Sequence, residues 1–401
     1  MKTRLLVSAL LLSTAALVYA WPHADTPAPV QPPPHNVIAQ PAAPASARPV
    51  VEVVFVLDTT GSMGGLIQAA KENIWSIART MASAQPAPDI RVGLVAFRDR
   101  GDDYVTRVVD LSDDLDSMYA QLMDFQADGG GDGPEAVNEA LHAAVHQIRW
   151  SQDQGAYQAI FLVGDAQPHM DYPDDVKYPD TIKAANARGI IVNTIQAGDD
   201  PATHAEWVQI AQLSQGAHFK VGQQGDAIVV TTPFDEEMAK LSRELDSTRL
   251  YYGNREAQTR AAGKLAATDK LNESASVTSL ARRAAFNSSA AGAKNLAGDS
   301  ELVADVASGR VDLDAIDEKE LPAELQALSD EDRRERVAET KAKRDALTQN
   351  IAALAEQRQQ YIEDALKKDA SVAQSLDVQI FGAVKEQAAK KGLRYEEAPA
   401  H

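Results

Sequence analysis

The sequence predicts an α/β fold: a doubly wound, mostly parallel sheet with helices on both faces, followed by an α-helical C-terminal region. Between residues 50 and 252, short runs rich in β-branched residues alternate with longer segments of helical periodicity. This alternation is typical of parallel strands joined by crossover helices. After residue 252 the chain shows no further strand pattern and is rich in Ala, Glu, Lys, Gln and Arg, which predicts helices.

Each element of the predicted sheet region follows from a local pattern. The first strand begins at Val50 and reads VVEVVFVL, a β-branched run typical of strands that are buried on both faces. A helical pattern follows from Leu66 to about Ala84. Later strands are expected at 90–97, 104–110, 159–164, 190–197 and 217–221, with 104–110 at a sheet edge. Later helices are expected at 113–125, 134–149, 174–188, 203–214 and 234–250.

The C-terminal region, residues 253–401, contains one long amphipathic pattern between about 329 and 368. Its apolar positions follow a 3-4 spacing that Gln357 and Arg358 interrupt, which predicts a long helix, half of a helical hairpin or a coiled coil. The apolar positions are Leu347, Ile351, Leu354, Tyr361 and Ala365. Residues 253–300, rich in Ala, Asn, Ser and Gly, are predicted to be loosely structured.

The N-terminus has the pattern of a secretory signal peptide over residues 1–20. Lys2 and Arg4 precede the apolar run Leu5–Ala20, and cleavage is expected after Ala20. An uncleaved membrane anchor is the alternative, but the run is short for a spanning helix. Residues 21–49 are rich in Pro and Ala and predict an extended linker. We therefore expect a periplasmic or secreted protein without stable membrane insertion after cleavage.

The composition restricts the function. The chain carries 39 Lys and Arg against 58 Asp and Glu, a formal net charge of −19. This acidity disfavours a sequence-independent grip on phosphates, so we expect no nucleic-acid partner. The absence of Cys excludes disulfides, thiolate nucleophiles and cysteine-based metal clusters.

Polar residues that suit a divalent cation follow several of the predicted strands. Asp58, Thr60 and Ser62 come directly after the first strand, and Asp165 follows the strand at 159–164. Asp132 lies in a glycine-rich loop ahead of a predicted helix. Ligands of open α/β sheets bind at the carboxyl ends of the strands, and carboxylate and hydroxyl oxygens suit Mg²⁺ or Mn²⁺.

These residues, in this order, resemble the von Willebrand factor type A domain and its metal-ion-dependent adhesion site. In that family an Asp-x-Ser-x-Ser loop, a distant Thr loop and a distant Asp surround one divalent cation. Asp58, Thr60 and Ser62 match the first loop, with Thr60 in place of the first Ser, and Asp165 matches the final Asp. The resemblance covers about residues 50–250.

The resemblance implies a role for each of these residues. Thr60 and Ser62 would be direct ligands, Asp58 an anchoring carboxylate that acts through water, and Asp165 a residue that holds a water or the metal. The family's threonine position falls on the loop 129–133, which offers Asp132 instead. Asp132 could coordinate directly, act through water or change the metal preference.

Simpler interpretations of the same residues remain open. Asp58, Thr60 and Ser62 could cap the following helix, and Asp132 could cap the helix expected from Pro134. Ser62, Asp165 and His218 occur in the order of an α/β-hydrolase triad, although Thr60 replaces the glycine that such a motif requires.

Two other clusters are given simple interpretations. His142 and His146 have a metal-ligand spacing, but we identify no third ligand and assign them to a solvated helix face. Asp99, Asp102 and Asp103 lack the pattern of a calcium loop and are assigned to a solvated turn.

The expected function is divalent-cation-dependent binding, without catalysis, of a protein or surface ligand that offers a carboxylate. This function is implied by the resemblance, in which the partner's carboxylate completes the metal coordination. The alternative is a structural or scaffolding role in the cell envelope with a degenerate metal site. A serine hydrolase is the second alternative.

Overall fold

The computed structural model describes residues 48–131, 133–223, 230–366 and 376–395. The predicted signal peptide, nearly all of the predicted linker and Asp132 lie outside the described residues. From Arg48 onward the chain forms one compact unit.

A six-stranded sheet with the order β3-β2-β1-β4-β5-β6 confirms the predicted fold class. β3 pairs antiparallel with β2 at an edge, as predicted, and the other pairings are parallel. The strand order reverses between β1 and β4, and this opens a crevice at the carboxyl ends of these two strands. The strands are β1 Val50–Asp58, β2 Asp89–Phe97, β3 Thr106–Ser112, β4 Tyr157–Gly164, β5 Ile191–Ala197 and β6 His218–Val221.

Helices cover both faces of this sheet, as the buried strand patterns predicted. Val53 and Phe55 of β1 pack into one apolar core, and Val54 and Val56 pack into the core on the opposite face. The sheet-region helices are α1 Gly64–Ala82, α2 Leu115–Asp124, α3 Val137–His146, α4 Tyr178–Arg188, α5 Pro201–Leu213 and α6 Asp235–Asp246. α1 and α2 lie on the first face, while α3, α4 and α5 cover the second.

The C-terminal region is helical, as predicted, but its first part is better ordered than we predicted. The prediction that residues 253–300 are loosely structured is wrong, because α7, α8 and α9 lie there. α7 packs on α2, α8 packs on α1 and α6, and α9 packs on α8. Buried alanines of this segment, such as Ala281 and Ala284, allow close helix packing, although the same composition is common in loops. The helices are α7 Arg255–Ser274, α8 Val277–Asn287, α9 Ala293–Ala297, α10 Leu302–Ala307, α11 Ala323–Gln326, α12 Asp330–Leu366 and α13 Leu376–Ala389.

The long predicted helix is present as α12, but its buried face matches the predicted one only in part, at Leu347 and Ile351. Ile351, Ala355, Arg358 and Ile362 are buried, whereas Tyr361 is 46% exposed. Arg358, which we interpreted as an interruption, donates a hydrogen bond to Asp235 Oδ1 at 2.8 Å. The ion pair with Asp235 therefore explains why the charged Arg358 lies on the buried face of α12. α12 packs on α6, α8 and α10 of its own chain.

A buried ionic cluster joins the sheet region to the C-terminal helices. Arg283 of α8 donates hydrogen bonds to Asp116 of α2 at 2.5 Å and to Asp246 of α6 at 2.8 Å. Arg283 and Asp116 are fully buried. Burial alone would raise the pKa of Asp116, but the charge and hydrogen bonds of Arg283 outweigh it and hold that pKa well below its usual range. The change of sequence pattern near residue 252 therefore marks a change of secondary structure within one packed body.

None of the described helices has both the length and the apolar character that crossing a membrane requires.

Candidate metal centre

Asp58 ends β1 in the crevice and is 1% exposed. Its Oδ1 accepts hydrogen bonds from the Thr60 amide at 2.8 Å and the Thr60 hydroxyl at 2.7 Å. Its Oδ2 is buried and has no hydrogen-bond partner within the described residues. Burial raises the pKa of Asp58 to about 7, against the lowering effect of the Thr60 hydrogen bonds and with a further rise from the charge of Asp165. The carboxylate is thus pre-positioned with one oxygen unused.

Thr60 and Ser62 bring two hydroxyl groups to the same place. Thr60 is buried and Ser62 is exposed, and their Oγ atoms lie 3.4 Å apart. Thr60 has an extended backbone before the short 3₁₀ turn Gly61–Met63. Neither this turn nor α1 has a side-chain hydrogen bond at its N-cap. The helix-capping alternative for this loop therefore finds no support in the contacts.

The glycine-rich loop is held directly against Thr60. Gly130 has a φ of +78°, and a Cβ there would lie 3.2 Å from both Thr60 Cβ and Glu135 Oε1. Gly129 accepts a hydrogen bond from the Gly61 amide at 3.1 Å. Only glycine combines this backbone with so close an approach. The predicted ligand Asp132 belongs to this loop but lies outside the described residues.

Asp165 follows β4 and is half-buried beside Asp58. A Cβ at Gly164 would lie 3.1 Å from Asp58 Oδ2, so the absence of a side chain there lets the ends of β1 and β4 come together. Asp165 Oδ2 accepts a hydrogen bond from Gln223 Nε2 at 2.5 Å. Gln223 follows β6, and nothing in its local sequence indicated a role at this site.

The described structure brings four of the five predicted site residues to the edge of the crevice. These are Asp58, Thr60, Ser62 and Asp165. Neither Asp58 nor Asp165 forms an ion pair with a Lys or Arg within the described ranges. A buried carboxylate without a counter-charge is costly, and a divalent cation would supply that charge.

Carboxyl groups are only part of the set of side chains that could bind a cation at this site. Among the described residues, no group of three or more His, Cys, Asp or Glu side chains is arranged to hold a metal ion. A cation here would therefore depend on hydroxyl groups and water as well as on Asp58 and Asp165. Mg²⁺ suits this arrangement, because it keeps several waters and needs few protein carboxylates.

Two acidic residues near the glycine loop, Glu135 and Asp99, are both buried. Glu135 precedes α3, is buried and lies against the loop at Gly130. Asp99 was expected in a solvated turn, which is wrong, because it is 7% exposed and accepts hydrogen bonds from Tyr172 Oη at 3.0 and 3.1 Å. Asp102 accepts a hydrogen bond from the Gly130 amide at 3.1 Å, so this turn supports the glycine loop.

His218 is engaged away from the predicted triad. Its Nδ1 lies 2.9 Å from Thr194 Oγ1, and its Nε2 lies 3.2 Å from His204 Nδ1. The described contacts therefore do not assemble Ser62, Asp165 and His218 into a triad. The rings of His142 and His146 are in contact, with centroids 4.4 Å apart and planes tilted by 36°, and His142 is half-buried while His146 is exposed.

Comparison with known proteins finds similarity over part of the chain. Residues 52–221 match the family model described as von Willebrand factor A domain. Human von Willebrand factor A domain-containing protein 7 is 36% identical over 120 residues, which cover 30% of this chain and 12% of that protein. A putative ariadne-like RING finger protein, R811, of Acanthamoeba polyphaga mimivirus is 25% identical over 120 residues, covering 30% of this chain and 11% of that protein.

A solved structure of a von Willebrand factor type A protein from Catenulispora acidiphila is also similar. It is 21% identical, with a TM-score of 0.33, over 43% of this chain and 39% of that chain. The chain spans about an eighth of the length of the curated relatives it matches.

Proposed function

We propose that this chain, whose residues 52–221 carry a von Willebrand factor A domain, is an exported binding protein that uses a divalent cation to capture its partner. Domains of this family are typically protein-interaction modules, and we assign this chain a non-catalytic role of that kind. Export is proposed from the N-terminal pattern of residues 1–20.

The observation that carries this proposal is the unused Oδ2 of Asp58. The oxygen is buried, lacks a hydrogen-bond partner in the described chain and belongs to a carboxyl group whose pKa is raised to about 7. Evolution retains such a costly group mainly where function needs it. A cation beside Asp58 would remove this cost.

Five residues would hold the cation in our proposal. Thr60 and Ser62 would provide hydroxyl oxygens, Asp58 and Asp165 negative charge, and Asp132 a further carboxylate directly or through water. The cation would supply the positive charge that attracts a carboxylate group of the partner. Mg²⁺ or Mn²⁺ suits these oxygen ligands.

The partner would be a protein or surface ligand that presents a carboxylate. Ser62 lies exposed at the rim, so a partner can approach the cation from solvent. The chain itself carries a net charge of −19, so an acidic partner would gain little from general attraction and would depend on the cation. Chelation should therefore release the partner.

Calorimetric titration of Mg²⁺ and Mn²⁺ into the mature protein tests the proposal. We expect saturable binding that is lost in Asp58→Ala and weakened in Asp132→Ala. Asp103→Ala is the matched control, because Asp103 belongs to a neighbouring loop and its side chain is 81% exposed.

A second experiment addresses the partner. Pull-downs in Mg²⁺ and in EDTA should differ in the proteins recovered, and Asp58→Ala in Mg²⁺ should resemble the wild type in EDTA. Cation binding unaffected by Asp58→Ala would contradict the proposed site. If no cation bound even with carboxylate ligands present, the envelope scaffolding alternative would be the better explanation.

A further inference from the structure

The Gln223 side chain makes two contacts at the candidate metal centre. Its Nε2 donates a hydrogen bond to Asp165 Oδ2 at 2.5 Å and lies 3.4 Å from the backbone oxygen of Ser62, to which it also donates. Asp165 and Ser62 are both predicted site residues from different loops. The side-chain amide of Gln223 therefore links the Ser62 loop to the Asp165 loop through its N–H donors.

The surroundings leave room for this side chain. Gly198, which follows β5, has a φ of +74°, and a Cβ there would lie 2.6 Å from Gln223 Oε1. The Gly198 amide donates to the Val221 carbonyl at 2.9 Å, so the ends of β5 and β6 are joined beside Gln223. Any larger residue at 198 would push the amide away from Asp165.

We propose that Gln223 competes with the cation for Asp165 and thereby sets the affinity of the site. This inference rests on the proposed function. A cation that binds through Asp165 Oδ2 withdraws electron density from that oxygen and repels the positive end of the Gln223 N–H group, so the hydrogen bond at this oxygen is weakened. Gln223 is exposed, so its side chain can rotate into solvent without leaving a cavity.

A glutamine suits such reversible competition better than a charged residue does. A Lys at this position would form an ion pair with Asp165 and would oppose the cation with a full positive charge. The neutral amide offers hydrogen bonds of moderate strength, of which one is to a carboxyl oxygen. Without a cation, these hydrogen bonds would offset part of the repulsion between the Asp58 and Asp165 carboxyl groups. A divalent ion could still displace them.

Substitutions at Gln223 that act in opposite directions test this proposal. Gln223→Met keeps the side-chain volume but removes the donor, so Mn²⁺ should bind about three- to tenfold more tightly. Gln223→Lys should weaken Mn²⁺ binding by about tenfold or more. Gln212→Ala, on the exposed side of α5, is the control and should bind as the wild type does. Calorimetry on the mature protein gives all four affinities.

A double-mutant cycle between Gln223→Met and Asp165→Ala provides a readout that does not depend on affinity. Denaturant unfolding in EDTA should show a favourable coupling between the two side chains, and this coupling should disappear in saturating Mn²⁺. If the wild type bound Mn²⁺ but Gln223→Met bound it no more tightly, the inference about Gln223 would be wrong while the proposed function would stand. If neither the wild type nor any variant bound Mn²⁺ in the titration, both the proposed function and this inference would be wrong.

Discussion

Asp58 and Asp116 are buried to the same degree, yet the structure treats them in opposite ways. Asp116 contacts the Arg283 guanidinium at 2.5 Å, and its pKa lies well below the usual range. Asp58 accepts hydrogen bonds from Thr60 on one oxygen, while its other oxygen is buried without a hydrogen-bond partner among the described residues. Burial, with no Lys or Arg of the described ranges beside it, raises the pKa of Asp58 to about 7. Because both carboxyl groups are buried, the presence or absence of a nearby positive charge decides in which direction each pKa shifts.

This difference distinguishes a structural joint, the cluster of Arg283, Asp116 and Asp246, from a binding site at Asp58. The cluster around Arg283 satisfies its own charges and fastens α8 to α2 and α6. The crevice at Asp58 leaves its negative charge to be neutralised by something from outside. Proteins commonly accept such a local cost at functional sites.

The largest effect is expected from breaking the joint. Arg283→Met would remove the hydrogen-bonded partner that Asp116 and Asp246 share and leave them with the more distant Arg249, at 4.0 and 3.5 Å. It should lower the free energy of unfolding by about 3 kcal/mol. Urea unfolding followed by circular dichroism measures this loss. Adding Asp116→Asn to the same chain should recover part of it. A loss below about 1 kcal/mol would show that the cluster does not hold the two regions together.

The pH dependence of Asp58 should run opposite to that of an ordinary paired carboxylate. Its folded pKa of about 7 exceeds the ordinary value of 3.8, so the folded protein binds more protons and Asp58 becomes increasingly destabilising as pH rises from 4 to 7. Relative to Asp58→Asn, the wild type in EDTA should lose about 2.5 kcal/mol between pH 5 and 8. Urea unfolding at several pH values measures this difference. A pH-independent difference would contradict the raised pKa, and saturating Mn²⁺ should abolish the trend.

Neutralising the two carboxyl groups should have effects of opposite sign. In EDTA at pH 8, Asp58→Asn should raise the free energy of unfolding by about 1–2 kcal/mol, since it removes an unpaired buried charge. The gain is limited because the new amide nitrogen is itself buried without an acceptor. Asp116→Asn should instead destabilise the protein. Thermal unfolding of both variants, with and without Mg²⁺, measures the two changes in stability. If both substitutions destabilised the protein, the predicted difference between Asp58 and Asp116 would be wrong.

A smaller effect is expected at the glycine loop. Gly130→Ala combines a φ of +78° with a close approach to Thr60, and should cost about 1 kcal/mol of stability and weaken Mn²⁺ binding. Gly309→Ala is the matched control, because Gly309 has a φ of +71° and nothing within 4 Å of the added Cβ. Gly309→Ala should show a similar loss of stability with unchanged affinity for Mn²⁺. Equal affinities for all three proteins would separate the loop from the metal centre.

The sequence predicted the sheet region well but the helical region only coarsely. Each predicted strand between residues 50 and 221 is present, with ends shifted by up to two residues, because a buried strand shows its own apolar run. The helix predicted at 134–149 is shorter, Val137–His146. In the C-terminal region, the partners of Ala281 and Arg358 are supplied by distant helices, so local periodicity could not identify their buried positions.

By itself the sequence determined the order of strands and helices, and with it the placement of Asp58, Thr60, Ser62 and Asp165 at strand ends, where chain order and the parallel sheet bring them together. Only the tertiary structure decided that Arg283 neutralises Asp116, 167 residues away in the sequence, and that Gln223 meets Asp165. The reason is physical: secondary structure follows from neighbours along the chain, whereas the charge state of a buried carboxyl group follows from neighbours in space.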